Sequence, residues 1–446
     1  MANPLVGIFR VKELRERILF SSLMLGVFRL GAFIPIPGVN AQVLNSYFES
    51  LRAQEGSRNA IVDYLDFFAG GAFSNFSVFM LGIMPYISMS IIMQLLLMVF
   101  PSLKKLSQEE GGRKKIQRYQ RIGTVAVCII QAFAVTQYAR SISRHVENLL
   151  SMDMFSFTLL AILTVTTGTM FLMWIGEQIT KRGIGNGISL LIFAGIVARL
   201  PTAVWELINR VRSGDLNLVF VVVVLVMFVA IVTLVVFEQQ GQRKIPVNYA
   251  KRIVGRKMYG GAPNAFIPFK INPSGVIPVI FASSILTFPL QIAQTIGEGV
   301  AWLNSVARVL TPRGTLYNIL YVLFIIFFAY FYTQVTLNPI EIAKNIRENG
   351  GSIPGIRSEK IEEYLTKILN RIVLPGSLYL ALIAVLPSMI QYFFKFPSSI
   401  SYLMGGTSLL ILVGVDLDTM SQVEGLLKMH HHEGLTRKGR LKGRNL

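Results

Sequence analysis

Ten stretches of about 20 residues carry few or no charged side chains, and these stretches constrain the fold more than any other feature of the sequence. They lie near residues 18–37, 76–100, 121–140, 154–176, 184–205, 216–237, 272–297, 315–338, 372–394 and 402–421. A helix of about 20 residues spans the ~30 Å of hydrocarbon in a bilayer. Charged residues make up only 15% of the chain, against about 25% in soluble domains. The sequence therefore predicts an all-α polytopic membrane protein with ten transmembrane helices.

The distribution of charge predicts how these helices are oriented. The net charge of +19 would suggest a nucleic-acid partner in a soluble protein. With the N-terminus in the cytoplasm, however, the loops on that face hold about three times as many Lys and Arg residues as the opposite loops, in agreement with the positive-inside rule. We therefore expect both termini to be cytoplasmic. Arg29 splits the first apolar run, which also lacks a small-residue cleavage site, so we expect no cleavable signal peptide. The single Cys128 excludes an internal disulfide.

Two apolar runs share one interrupted motif, which predicts an internal repeat. The sequence "GIMPYIS" begins at Gly82 in the second run, and "GVIPVIFASS" begins at Gly275 in the seventh. Because the motifs are five spans apart, we expect two inverted five-helix halves, covering residues 1–205 and 206–425 and followed by a basic cytoplasmic tail, 426–446. In such folds the interrupted helices indicate the functional site between the halves.

The segment "IVDYLDFFAGGAFSNF", residues 61–76, is too short and too acidic to span the membrane. Asp63 and Asp66 would cap or polarise a short helix, and Gly70 and Gly71 would form a flexible joint. The segment could enter the bundle from the outer face, since irregular backbone is tolerated at depth where protein or a water-filled cavity surrounds it. It could equally be an interfacial helix on that face.

The spans contain little of the chemistry that transporters and enzymes need. Ion-coupled transporters place ionisable side chains within the membrane. Here the spans offer few: Arg29, Glu177 at the inner end of the fourth, and Asp416 with Asp418 toward the inner end of the tenth, while Arg121 begins the third and Arg199 interrupts the fifth. The glycines of "RGIGNGIS", residues 182–189, follow no strand and do not predict a phosphate site. The run His430–His432 favours a solvated tail over a metal site. We predict no enzymatic activity, cofactor or metal.

Isoleucines recur one turn apart at the interrupted helices and at the start of the fifth span. They are Ile83, Ile87, Ile188, Ile192 and, after the second proline, Ile280. Spacing alone leaves three readings open, because such a stripe can face lipid, the core of the bundle or a pore. If the side chains converged, the ring would exclude water and ions without a charged filter.

Two cytoplasmic loops are too long to be simple connections. Residues 238–271 alternate apolar and basic side chains around glycine-rich turns, which predicts a protruding strand-turn-strand arm. Residues 339–371 predict a second arm of two helices joined by a turn that holds Arg357. The basic tips, Arg256, Lys257 and Arg357, could attract lipid headgroups or a large anionic partner, and the length of the loops favours a docking surface.

Long segments of the sequence resemble those of the SecY family, the channel-forming subunits of bacterial protein translocases. These segments are "FRLGAFIPIPGV", "FAGGAFSNFSVFMLGIMPYISMSIIMQLL", "GTMFLMWIGEQITKRGIGNGISLLIFAGIVARLP", "VNYAKR", "GVIPVIFASSIL", "FFYTQVTLNP", "PGIR" and "GGTSLLILV". The similarity runs from about residue 12 to 425. Asp416, Asp418, the outer loop 140–153 and the histidine-containing tail depart from the family pattern, and we transfer no role to them.

The resemblance implies a SecY-like clamshell with a pore between two halves, each of five spans. Its implied site residues fall into three groups. The pore ring is Ile83, Ile87, Ile188, Ile192, Ile280 and Ile411; the plug, residues 61–75, includes Asp63, Tyr64, Phe67, Phe68, Gly70 and Gly71; the lateral gate includes Pro85, Gln94, Pro278 and Ser284. Within this resemblance we expect the two prolines to loosen the hydrogen-bond ladder of the gate helices so that they can bend.

The resemblance also implies partners and a location. Unfolded, signal-bearing polypeptides would cross the pore, and membrane helices would leave it sideways into lipid. Arg256, Lys257 and Arg357 would dock the ribosome or the motor ATPase SecA, which supplies the energy, while small subunits resembling SecE and SecG would brace the clamshell. Signal peptides, nascent polypeptides and membrane lipids would be its other contacts, in the inner membrane of a bacterium.

Two other functions remain to be weighed against a passive channel. A secondary transporter or lipid flippase could use inverted repeats for alternating access, although the shortage of charge within the spans argues against it. A membrane scaffold that docks ribosomes would need the cytoplasmic arms but no pore.

Overall fold

The computed structural model of the protein describes residues 11–53, 66, 69–144, 146, 148–214, 218–249, 252–254, 257–259, 266–296, 314–394 and 406–438. The Cα positions group into two compact units. Unit 1 comprises residues 1–209, 288–311 and 411–446, and unit 2 comprises residues 210–287 and 312–410. The division into halves at residue 205 stays a prediction.

Helices dominate the described residues. In chain order they are α1 (Lys12–Gly31), α2 (Ala41–Ala53), α3 (Met84–Val99), α4 (Pro101–Gln108), α5 (Gly112–Ser143), α6 (Met154–Arg182), α7 (Gly187–Arg212), α8 (Leu218–Gln240), α9 (Ile277–Ile296), α10 (Thr315–Thr336), α11 (Pro339–Glu348), α12 (Ile361–Phe394) and α13 (Gly406–Lys438). A 3₁₀ turn, Ser358–Lys360, precedes α12. The predicted all-α class is confirmed.

Several of these helices are long and apolar enough to cross a membrane. Within the described residues six segments qualify: Gly112–Ser143, Met154–Arg182, Gly187–Arg212, Val221–Gln240, Thr315–Glu348 and Ser358–Leu386. The helices α3 and α4 qualify together as a seventh, although they bend by 107° at their junction, and α9 contributes a shorter apolar helix, Ile277–Thr287. The chain is therefore a polytopic membrane protein, in which ten spans remain the predicted number.

Both interrupted motifs have the same local conformation, which differs from the expected kinked helix. Gly82 and Gly275 adopt positive φ angles of 57° and 60°, and a helix begins two residues later in each case, so that Pro85 and Pro278 are second residues of α3 and α9. A proline in the first turn costs no hydrogen bond, because its missing N–H would have no intrahelical partner there. The prediction that these prolines loosen a continuous helix is wrong: they begin helices, and residues 78–83 form turns.

An ion pair joins two long helices of unit 1. Arg121 of α5 donates two hydrogen bonds to the Glu177 carboxylate of α6, from Nε to Oε1 at 3.0 Å and from Nη2 to Oε2 at 2.6 Å. This bidentate geometry fixes both the separation and the rotation of the helices, since the planar guanidinium matches the carboxylate only in one orientation. Farther along, α6 packs closely against the turns before α3, where a Cβ on Gly168 would clash with the Val78 carbonyl oxygen.

The glycine-rich loop before α7 is held by side chains rather than left open for a ligand. The N–H of Ile184 donates to Ser21 Oγ at 3.0 Å, that of Gly185 to Gln422 Oε1 at 2.9 Å, and that of Gly187 to Thr180 Oγ1 at 2.9 Å. Each of these three amides already has an acceptor and is therefore not free to bind a phosphate. The loop therefore links α1, α6 and α13 within unit 1.

In unit 2 the first of the two predicted arms is built from short strands, as its sequence predicts. The strands are β1 (Gln242–Pro246), β2 (Asn248–Tyr249), β3 (Arg252–Val254), β4 (Lys257–Tyr259), β5 (Phe266–Lys270) and β6 (Gly351–Ser352). Two antiparallel pairs, β1 with β5 and β3 with β4, form the arm. The third antiparallel pair joins β2 to β6 and therefore connects the first arm to the second.

The two arms share one apolar core, which the sequence did not predict. The core joins strands β1 and β5, helix α11, the turn after β6 and the start of α12; its buried members are Ile245, Val247, Phe269, Ala343, Ile346, Ile353, Ile361, Leu365, Ile368, Leu369 and Ile372. Burial of this many aliphatic side chains makes the arms a single packed body rather than two independent loops.

This shared core predicts a sharp difference between two isoleucines of α11. Ile346 is 3% exposed within the core and Ile340 is 56% exposed. We expect Ile346→Ala to destabilise the arms by about 2–5 kcal/mol, because truncation leaves a cavity, and Ile340→Ala to change their stability by less than about 0.5 kcal/mol. The measurement is the rate of limited proteolysis of both arms in the full chain. Equal rates for the two variants would contradict a shared core.

Candidate functional site

The site is a turn-rich part of unit 1 that precedes α3. We call Asp66 together with residues 69–77 the anchored segment. Its backbone closes on itself, since the N–H of Gly71 donates to the Asp66 carbonyl and the N–H of Ser77 to the Ala72 carbonyl, both at 3.0 Å. The predicted plug helix covers residues 61–75, and the described residues 69–75 are turns.

One end of the anchored segment pairs with the chain that follows α1. The N–H of Ile36 donates to the Phe76 carbonyl at 2.8 Å, and the N–H of Val78 donates to the Ile34 carbonyl at 2.9 Å. Phe76 itself is 1% exposed and has a φ of 44°, a conformation that costs a bulky residue energy and persists only where its surroundings hold it. Its ring stacks on Tyr138 with 6.1 Å between centroids.

Asp66 anchors the segment electrostatically. Its carboxylate accepts hydrogen bonds from the Ser74 N–H at 2.8 Å and the Ser74 hydroxyl at 2.5 Å, and it forms an ion pair with Arg199 of α7. Asp66 is 4% exposed. A buried carboxylate is stable only when charge and hydrogen bonds compensate its lost hydration, and these three contacts supply both.

A second arginine holds the same segment from α1. Arg29 Nη1 donates to the Gly70 carbonyl at 2.7 Å, and the guanidinium lies 4.6 Å from the centre of the Phe33 ring. From the sequence, Arg29 and Arg199 could be recognised only as charges that interrupt apolar runs. The signal that could have revealed their role is that a charge within a span needs an acceptor, and the nearby acidic segment 61–76 offers one.

The backbone of the segment also lies against the residues that flank the predicted pore ring. A Cβ on Gly70 would lie 2.8 Å from Gly195 Cα in α7, and a Cβ on Gly82 would lie 3.8 Å from Ala69 Cα. Gly70 and Gly71 have φ angles of 63° and 92°. They are therefore needed for positive φ and close approach, rather than for the flexible joint that the sequence suggested.

Five predicted pore residues belong to unit 1 and one to unit 2. In unit 1, Ile83 is the N-cap of α3, and the exposed fractions of Ile83, Ile87, Ile192 and Ile411 are 7%, 6%, 5% and 1%. Ile188 of α7 and Ile280 of α9, the latter in unit 2, are partly buried. Their convergence into a ring remains a prediction.

The predicted gate residues lie on α3 and α9. Ser284 is 4% exposed, and Gln94 is partly buried. Among the described residues, neither Gln94 Oε1 nor Ser284 Oγ has a hydrogen-bond partner, although both atoms are buried. A buried polar atom without a hydrogen-bond partner costs about 1–3 kcal/mol of stability, so a polar neighbour that bonded either oxygen atom would stabilise the protein.

Some predicted site residues lie outside the described part of the chain. These are Asp63, Tyr64, Phe67 and Phe68 of the plug and Arg256 of the first arm. Lys257 begins β4. Arg357 is exposed and precedes the 3₁₀ turn of the second arm.

The fold and the site together define a class of protein: a polytopic helical membrane protein of the protein-conducting channel fold. A solved protein-conducting channel matches with a TM-score of 0.63 at 18% identity, covering 92% of both chains. Sec61 of the canine ribosome–channel complex from the endoplasmic reticulum matches with a TM-score of 0.62 at 18% identity, again over 92% of both chains. At this identity the likeness concerns the fold alone.

Sequence comparison identifies the family within that class. The SecY family model matches residues 77–420. The protein translocase subunit SecY of Vibrio cholerae is 45% identical over 440 residues, 97% of this chain and 96% of that protein, and that of Borreliella burgdorferi is 44% identical over 430 residues, 96% of each. The chain belongs to the SecY family. This membership confirms the predicted SecY-like fold and the prediction of a translocase channel subunit rather than an enzyme.

The contact between Gly70 and Gly195 predicts a stability difference between two glycines of positive φ. Gly70→Ala adds a Cβ against fixed backbone, whereas Gly214, with a φ of 81°, has no heavy atom within 4 Å of an added Cβ. Both substitutions incur strain from positive φ, and only the first adds a clash. We expect Gly70→Ala to destabilise the protein by about 1–3 kcal/mol more than Gly214→Ala. Thermal unfolding of the purified full chain in detergent measures this, and equal losses would refute the close approach.

Proposed function

We propose that this chain is the central pore subunit of the protein-conducting channel in the cytoplasmic membrane of a bacterium. It passes unfolded, signal-bearing polypeptides across the membrane and releases membrane helices laterally into lipid. The observation that carries the proposal is family membership over nearly the whole chain, at 44–45% identity to translocase subunits. The pore itself is passive, and SecA or the ribosome supplies the energy.

The pore ring is proposed to consist of Ile83, Ile87, Ile188, Ile192, Ile280 and Ile411. Aliphatic side chains attract a passing polypeptide without direction and offer it no hydrogen bonds that would hold it. When the pore is empty, the same side chains exclude water, which blocks ions. The support is the burial of four of the six residues, 7% exposed or less, within a membrane protein.

Residues 61–75 are proposed to act as the plug that seals the outer side of the pore. The support is the anchored segment, whose Ala69 and Gly70 lie against Gly82 and Gly195. Gly82 directly precedes the proposed pore residue Ile83, and Gly195 follows Ile192 by three residues. The anchored segment therefore contacts residues that lie next to or near two of the proposed ring positions in sequence, Ile83 and Ile192.

The helices α3 and α9 are proposed to line the lateral gate, with Pro85, Gln94, Pro278 and Ser284 as gate residues. Each helix begins two residues after a positive-φ glycine near the end of a run of turns, so it can tilt about its first turn without losing hydrogen bonds from its interior. The buried oxygen atoms of Gln94 and Ser284 favour a polar contact within the gate.

The cytoplasmic arms, 238–271 and 339–371, are proposed to dock SecA and the ribosome through Arg256, Lys257 and Arg357. The shared core supports this for Arg357, since its neighbour Ile356 packs against that core. We further propose that subunits resembling SecE and SecG brace the two halves, 1–205 and 206–425. Both termini are placed in the cytoplasm by the excess of Lys and Arg in the loops of that face.

Three arginines within helices of unit 1 already have partners, which does not favour a coupling-ion site at these positions. Arg29 binds the Gly70 carbonyl, Arg121 binds Glu177, and Arg199 pairs with Asp66. Each contact fixes a helix or the anchored segment. A coupling ion would have to compete with these partners for the same carboxylates.

A polar ring should leak ions. We expect Ile83→Asp combined with Ile280→Asp to raise ion flux through the idle channel by at least about tenfold, because charged side chains hydrate the constriction. The measurement is salt flux across proteoliposomes that contain the complete complex without substrate. Ile130→Asp is the control, since Ile130 is 59% exposed on α5. Normal translocation together with an ion-tight double variant would rule out the ring.

A polypeptide halted during translocation should contact the ring directly. We expect a photoreactive side chain at Ile83 or Ile192 to crosslink to the halted chain, and one at the exposed position Ile130 to crosslink to lipid. The readout is the crosslinked product on a gel. A protein that only docks ribosomes would give no crosslink to the halted polypeptide from Ile83 or Ile192, while the lipid crosslink from Ile130 would remain.

A further inference from the structure

We propose that the side chain of Glu238, in the last turn of α8, holds a proton at neutral pH, and that loss of this proton loosens the start of α9. The proton site concerns unit 2 alone and does not depend on the proposed function. Its consequence for the channel rests on that function, in which α9 lines the lateral gate.

The first argument is the burial of a carboxyl group without a partner. Glu238 is 4% exposed, and among the described residues neither of its Oε atoms has a hydrogen-bond partner. An ionised carboxylate in such a place loses its hydration without compensation, and the usual outcome is that it takes up a proton instead. Glu177, which is more exposed, shows the alternative in the same protein, since its carboxylate accepts two hydrogen bonds from Arg121.

The second argument is that the side chains around the carboxyl group are polar but uncharged. They are the amides of Gln239 and Asn272 and, from α12, the hydroxyl of Tyr379. The Tyr379 hydroxyl donates its proton to the Leu234 carbonyl at 3.0 Å. The basic side chains of the neighbouring strands β1 and β5 are exposed; they are Arg243, Lys244 and Lys270. Within the described part of the chain, a proton is therefore the positive charge best placed to neutralise the carboxylate.

The third argument is the position of Glu238 beside the chain that leads into α9. The N–H of Gly241 donates to the main-chain carbonyl of Glu238 at 3.2 Å, and the N–H of Ile271 donates to the Gly241 carbonyl at 2.9 Å. On the other side, a Cβ on Gly376 of α12 would lie 2.7 Å from the Ile271 carbonyl oxygen. Ile271 is thus fixed between the end of α8 and α12, and Asn272 follows it directly.

Asn272 holds the turn from which α9 begins. Its side-chain Nδ2 donates to the Gly275 carbonyl at 2.9 Å, and its Oδ1 accepts from the Ser274 hydroxyl at 2.8 Å. Its main-chain carbonyl accepts from the Gly275 N–H at 3.3 Å. Gly275 has a φ of 60°, and α9 begins two residues later at Ile277. The position of the first turn of α9 therefore depends on the Asn272 side chain.

The proton on Glu238 decides whether these contacts last. A protonated carboxyl group has an O–H donor of its own, whereas an ionised carboxylate only accepts hydrogen bonds. On ionisation the proton passes to water, and the carboxylate competes with the Gly275 carbonyl for the amide protons of Asn272. The charge also draws water toward a buried site. Both effects loosen the turn and, with it, the start of α9.

Infrared spectroscopy tests the proton directly. The sample is the purified complete complex at neutral pH, and the signal is the carbonyl stretching band of protonated carboxyl groups. We expect Glu238→Gln to remove a component of this band. Glu341→Gln, which changes an exposed carboxylate of α11, should leave the band unchanged. An unchanged band in the Glu238 variant would overturn the proton site.

Thermal unfolding tests the sign of the pH dependence. The folded chain keeps a proton that the unfolded chain releases, so a rise in pH lowers the stability of the unmodified protein more than that of Glu238→Gln, whose amide does not titrate. Between about pH 5 and about pH 8 we expect the unfolding temperature of the unmodified complex to fall by at least about 2 °C more. Glu238→Met, which also cannot titrate, gives the same comparison if the Gln variant does not assemble. If Glu238 were ionised and paired with a positive charge of a partner subunit, both variants would be less stable than the unmodified complex at neutral pH, which would overturn the proposal.

Hydrogen exchange tests the link between the proton and α9. The N–H groups of Val279 and Ile280 donate to the Val276 carbonyl at the start of this helix. At about pH 8 we expect these amides to exchange at least about threefold more slowly in Glu238→Gln than in the unmodified complex, and at about pH 6 the two should exchange alike. Equal exchange at both pH values would show that the carboxyl group does not control the start of α9.

The consequence for the channel is measured as lateral release. The readout is the rate at which a membrane helix delivered to the complete complex becomes accessible to crosslinking by lipid. A rise from about pH 6 to about pH 8 should increase this rate in the unmodified complex and leave it unchanged in Glu238→Gln. The same pH dependence in both complexes would overturn the effect on the gate. If neither complex releases the helix at any pH, the proposed function fails while the infrared and exchange results stand, so the two failures are distinguishable.

Discussion

The requirement that a charge within an apolar helix find a partner determines much of this structure. Arg199 and Asp66 satisfy it together, and Arg29 satisfies it by binding the Gly70 carbonyl. Both arginines bind the anchored segment. Irregular backbone of this kind is tolerated within a helical membrane protein only where protein or a water-filled cavity surrounds it. The same requirement fixes α5 against α6 through Arg121 and its carboxylate partner. In a protein with few charges, each one therefore has a large effect on which segments lie together.

The two Gly-x-x-Pro motifs show how a short sequence can define the beginning of a helix inside the membrane. Gly82 and Gly275 turn the chain with positive φ, and the proline that follows each one occupies a helix position where no donor is required. Because turns precede them, α3 and α9 are not continued by helix on their N-terminal side. For the proposed lateral gate, this means that a helix can tilt as a rigid body about its first turn, rather than bend at a weakened point in its interior.

The two arms are held together by packing rather than by charge. The strand pairing of Asn248–Tyr249 with Gly351–Ser352 and the aliphatic core around Ile346 unite two loops that are about 100 residues apart in the chain. A docking surface built this way presents Arg357 from a packed support. The proposed partners are large, and a rigid support reduces the entropy lost when such partners bind.

The helical class, the multi-pass membrane character, the family and the strand arm could all be predicted from the sequence, because each follows from local composition, periodicity or extended motifs. The sequence also identified the 61–76 segment as unable to span the membrane. The structure was needed to show that Arg29 and Arg199 hold the anchored segment and that the arms share a core. The physical reason is that these features depend on contacts between residues distant in sequence. Periodicity shows which face of a helix is apolar, but it does not show which acceptor a particular arginine will reach.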